Sequence, residues 1–97
     1  MNDRFATFRN ATASALLGGP GATSDDLRHA IAAGCPPPDL AVLVEKIRSR
    51  AYTVTDSDVD ALRNRYTEEQ LFEIIVSAAF GAALERLTAA ARALEAS

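Results

Sequence analysis

The sequence predicts an all-α fold, a compact bundle of about five helices closed by a long C-terminal one. Large apolar residues recur every three or four positions and nowhere alternate at period two over a useful length. Thr55 followed by Asp58, and Thr67 followed by Gln70, have the spacing of helix-opening capping boxes. Twenty of the 97 residues are alanine, so the apolar fraction is rich in small helix-forming side chains. The length suits one domain, residues 1–97, whose monomeric core would be thin.

The first helix is expected from Asp3 to Leu17, with Phe5, Phe8, Thr12 and Ala15/Leu16 on one stripe, and Gly18-Gly19-Pro20-Gly21 stops it. Thr23 or Ser24 caps a short second helix, with Asp25 and Asp26 in its first turn, Leu27, Ala30 and Ile31 facing inward, and Gly34 ending it. Cys35-Pro36-Pro37-Pro38 forms an extended connector whose last proline can enter the first turn of a third helix, about Pro38 to Ala51. The inner face of that helix carries Leu40, Leu43/Val44, Ile47 and Ala51, while Lys46, Arg48 and Arg50 crowd its end and complement its dipole. Thr55 opens a fourth helix bearing Val59 and Leu62 that ends near Arg65. Thr67 opens the fifth, about Glu68 to Ala96, with a stripe through Phe72, Val76, Ala79/Phe80, Leu84, Leu87, Ala91 and Leu94. A second face, through Ile75, Ala78 and Ala82, is apolar as well, so both sides of this helix need cover.

Composition narrows the function classes. A formal charge of −3, a pI near 5.0 and a single lysine, Lys46, argue against a nucleic-acid or anionic-membrane surface. The longest uncharged apolar run, Ile74 to Leu84, is eleven residues against the ~20 of a membrane span, and the N-terminus has no secretory pattern. A cytoplasmic protein without membrane or nucleic-acid partner is the expectation.

Few residues suggest chemistry. Cys35 is the only thiol, follows a helix stop and has no second cysteine to resolve it; His29 is read as a surface histidine beside an outward Arg28. Asp56, Asp58 and Asp60 begin like a calcium loop, but Ala61 stands where glycine is needed and Thr67 where a bidentate Glu is needed. They are better read as helix first-turn partners. No cofactor-binding motif or metal-ligand cluster is present. Glu73 and Arg86 sit on the most apolar helix, roughly 20 Å apart along it, so they cannot pair within it but can pair between antiparallel copies. The surplus apolar surface predicts an obligate homo-oligomer, most simply a dimer, buried through Phe72, Val76, Phe80, Leu84 and Leu87, with Ser77, Ala78, Gly81 and Ala82 offering small faces for a second helix.

The stretch Leu40 to Leu94, above all Tyr52-Thr53-Val54-Thr55-Asp56-Ser57-Asp58-Val59-Asp60-Ala61-Leu62-Arg63 and Tyr66-Thr67-Glu68-Glu69-Gln70-Leu71-Phe72-Glu73-Ile74-Ile75, resembles the C-terminal portion of the carboxymuconolactone decarboxylase and AhpD-like alkylhydroperoxidase family. Ala83-Leu84-Glu85-Arg86-Leu87 resembles the arginine-bearing end of that family's long helix. The resemblance implies a helical, oligomer-forming scaffold, with trimers or hexamers also allowed. Family members with thiol peroxidase activity carry C-x-x-C and a following histidine, which this sequence lacks, so no catalytic residue carries over. The expected function is a catalytically silent AhpD-like module for homo-oligomeric assembly or for binding a partner or small ligand. The alternatives are a lyase or isomerase using acid–base residues, or a Cys35-dependent peroxidase. Whether Glu73, Arg86 and Tyr66 converge on one cavity separates the first reading from the enzymatic ones.

Overall fold

A computed structural model describes residues 3–96, and within the first helix the side chains of residues 3–6, 8, 9 and 12 lie outside the described set. The stripe expected through Phe5, Phe8 and Thr12 therefore falls outside it. Among the described residues five α-helices follow one another: α1 (Asp3–Leu17), α2 (Asp25–Ala32), α3 (Ala41–Arg50), α4 (Asp56–Asp60) and α5 (Glu68–Ala96). Short 3-10 turns, Pro38–Leu40 and Ala51–Thr53, bracket α3, and no strand occurs among the described residues. The all-α prediction and the long C-terminal helix hold.

Local chemistry explains the boundaries. Ser24 caps α2 by accepting from the Leu27 N–H at 3.1 Å. At the other end Gly34 takes a φ of 82°, with Cys35 N–H bonded to Ala30 O and Gly34 N–H to Ile31 O, the paired bonds of a Schellman stop. Thr55 and Asp58 close a full capping box on α4, and Thr67 and Gln70 close another ahead of α5. Three boundaries differ from expectation. The third helix begins and ends as tight 3-10 turns, leaving Ala51 exposed, and the fourth stops at Asp60 because i→i+3 bonds such as Arg63 N–H to Asp60 O take over.

At ~1.5 Å per residue the 29 residues of α5 extend about 43 Å, nearly the 47 Å long axis of the molecule. It is the spine against which α2 and α3 pack. The core joins Ile31 of α2, Leu40, Leu43, Val44 and Ile47 around α3, Leu62, and Leu71, Ile74 and Ala78 of α5.

Several close approaches between elements fix the packing. Where Gly81 passes α2, an added methyl group would stand 2.7 Å from the Ala32 carbonyl carbon, so only glycine permits this crossing. The small-residue approach expected from a second copy is thus made by α2 of the same chain. Arg48 of α3 donates to Ala32 O at 2.6 Å and pairs with Glu85 of α5, while Arg86 donates to Arg48 O at 2.7 Å. Arg48 therefore caps α2 rather than its own helix, and Lys46 reaches across to Asp58 at 3.0 Å. Arg28, expected to face outward, is buried at 5% exposure. Its guanidinium donates to Leu16 O, Gly19 O and Thr23 O, carbonyls of the helix end and loop that no helix ladder satisfies.

Candidate functional site

The first two turns of α5 hold the glycine-rich loop between α1 and α2. Glu73 accepts from Ala22 N–H at 2.7 Å, Thr23 N–H at 2.8 Å and the Thr23 hydroxyl at 2.5 Å, and Gln70 one turn earlier donates to Ala22 O at 3.3 Å. The Thr23 hydroxyl and the two backbone donors hold the Glu73 carboxyl below the usual carboxylate range. Gly21 lies so close that an added methyl group would meet the carboxylate at 2.8 Å. Glu73 is a loop anchor, and Arg86 is spent on the end of α3. Tyr66 donates to Asp39 Oδ2 at 2.7 Å, and burial beside that carboxylate raises its pKa. Glu73, Arg86 and Tyr66 thus serve three separate contacts.

The remaining candidates are similarly dispersed. The Cys35 thiol is exposed and lies 4.0 Å from Ala33 O, while His29 Nδ1 faces Asp25 O at 2.8 Å. Asp58 is drawn into the Thr55 cap, whose N–H, together with Lys46, lowers its pKa. No group of three or more potential metal ligands occurs among the described residues.

What the fold leaves exposed is the far face of α5. Its core side carries Leu71, Ile74, Ser77, Ala78, Gly81 and Ala82, all buried. The opposite side, at 100° per residue, carries Phe72, Val76, Ala79, Ala83, Leu87, Ala90 and Leu94, without a charge among them. Phe72 is 68% exposed, Leu87 47% and Leu94 67%; Val76 is half-buried. Phe80 is half-buried on the flank, and Leu84 turns to the side where Asn10 of α1 lies. The sequence reading included Ala79 but missed Ala83 and Ala90, because it followed the large residues onto that flank. Beside Phe72 an open groove of about 580 Å³ is floored by Val59, Leu71 and Ile75 and rimmed by Arg63, Glu68 and Glu69.

By length and composition α5 is apolar enough to cross a membrane: an 18-residue stretch has mean hydropathy 1.5, with a third of it buried in the fold. The eleven-residue count made from the sequence stopped at Glu85, although a helix of 29 residues tolerates such interruptions. Comparison with protein-family models, with curated proteins and with solved structures finds no match for this chain.

Proposed function

We propose that this chain is a non-enzymatic helical assembly module in which the outward face of α5 binds a second copy. The carrying observation is the uninterrupted apolar stripe from Phe72 to Leu94 on a helix whose other face is already filled by α2 and α3. Burying a large side chain contributes about 1.5–3 kcal/mol, so Phe72, Leu87 and Leu94 together supply a substantial drive for association. The resemblance of Tyr52 to Ile75 to the AhpD-like family belongs to the same proposal, as an oligomer-forming scaffold without the C-x-x-C motif.

The dispersal of Glu73, Arg86 and Tyr66 over separate structural contacts favours assembly over acid–base catalysis, which needs such groups around one reacting atom. A bilayer is the less favoured occupant. A spanning α5 would have to give up its packing with α2 and α3, and the chain is acidic with one lysine. Because a core of Ile31, Leu40, Val44, Leu71 and Ile74 closes within one chain, we take the association to be reversible rather than obligate. Light scattering over a range of concentrations tests the reading. The mass should rise from 10.3 kDa towards twice that value, and a monomer at high micromolar concentration would overturn it.

A further inference from the structure

We infer that the two copies pair antiparallel through α5, with the two-fold axis beside Ala83, a register that rests on the assembly reading above. The stripe steps by 4, 3, 4, 4, 3 and 4 residues from Phe72 to Leu94, so it reads the same in both directions about its midpoint, Ala83. A two-fold interface requires that if one residue meets another, the second meets the first. Reversal about Ala83 satisfies this: Val76 meets Ala90 of the partner subunit, Ala79 meets Leu87 of the partner subunit, and Ala83 meets its own copy. Large side chains face small ones through the centre, which lets the helices approach closely. The two large end residues, Phe72 and Leu94, face each other where the pair can open.

A parallel pair fits worse. It stacks Leu87 on Leu87 and alanine on alanine at 79, 83 and 90, so the spacing set by leucine leaves the alanine layers empty. It also brings the acidic starts of both helices, Glu68 and Glu69, side by side, whereas reversal separates the Glu69 positions by about 42 Å along the axis and opposes the helix dipoles. The stripe repeats every 11 residues, or ~3.67 per turn, so the helices run nearly straight with a slight right-handed coil. The contact is one helix face about 33 Å long, smaller than the patch of roughly 20–30 residues per partner in standard complexes, which places the dimer in the weak, concentration-dependent class.

Cysteine cross-linking reads the register. In a Cys35→Ser background, Ala83→Cys should form a covalent dimer on mild oxidation, because the two positions meet on the axis. Leu94→Cys should not, because its copies lie about 33 Å apart and a disulfide needs Cα atoms within ~7 Å. Ala79→Cys should link to Leu87→Cys in a mixture and not to itself. A dimeric mass with self-linked Leu94→Cys overturns the register in favour of a parallel pair and leaves the α5 assembly reading standing, whereas a dimeric mass with none of these links moves the interface to another face and overturns both. A monomeric mass throughout removes both, as does sedimentation of the protein with neutral phosphatidylcholine vesicles in place of linkage at position 83.

Discussion

Thr23, immediately before the cap of α2, donates to Glu73 of α5 twice, through its N–H at 2.8 Å and its hydroxyl at 2.5 Å, across 50 residues of chain. This contact and Gln70 on Ala22 O fix the start of α2 on the spine. The Glu73 pKa is lowered in the fold, so its contribution to stability is complete above the ordinary value of 4.5 and is lost as pH falls through the lower folded value. Urea midpoints of wild type should therefore hold steady from neutral pH down to about 4.5 and then fall. Glu73→Gln should start lower and lose that part of the acid slope. Parallel pH profiles for the two proteins would contradict the anchor.

Arg28→Leu tests the second tie on the same loop. It removes a buried donor from Leu16 O, Gly19 O and Thr23 O, and should cost about 1–3 kcal/mol. Hydrogen exchange should quicken in the last turn of α1, residues 13–17, before it quickens in α3 or α5. Uniform acceleration would mean that Arg28 supports the whole core instead.

The helix ends were readable because their signals are local. Gly18-Gly19-Pro20-Gly21, the Thr55 box and the Thr67 box each act within about four residues. The partners of Arg28 and Glu73 were not readable, because nothing local says that an acid on α5 will find two backbone N–H groups 50 residues away. Periodicity showed that α5 had two apolar faces, yet not which one the chain would cover. That choice turns on Gly81, whose missing side chain admits Ala32 only in the folded arrangement.

Substitutions at Gly81 and Ala83, two residues apart on opposite faces, should separate core from surface. Gly81→Val forces a side chain into the backbone of α2 and should cost more than about 3 kcal/mol, read as the shift in thermal or urea unfolding. Ala83→Met, at an exposed position, should stay within about 0.5 kcal/mol at dilute concentration. Similar losses at both would mean that the outward face is already covered within the chain.

Cys35 lies beyond the Schellman stop of α2, its exposed thiol 4.0 Å from Ala33 O. Wild type and Cys35→Ser should show the same background rate towards an organic hydroperoxide with a dithiol reductant. Turnover present in wild type and lost in the variant would restore a peroxidase reading.

The role proposed for α5 is a structural spine on one face and a docking surface on the other. Sedimentation equilibrium of wild type beside Leu87→Asp, with circular dichroism on the same samples, tests it most directly. Leu87 is 47% exposed, so the variant should keep its helical signal and its unfolding midpoint at dilute concentration. Wild type should show a monomer–dimer equilibrium in the micromolar range, and Leu87→Asp should remain monomeric across it. A wild type that is monomeric throughout, or a Leu87→Asp protein that dimerises as wild type does, would contradict the account.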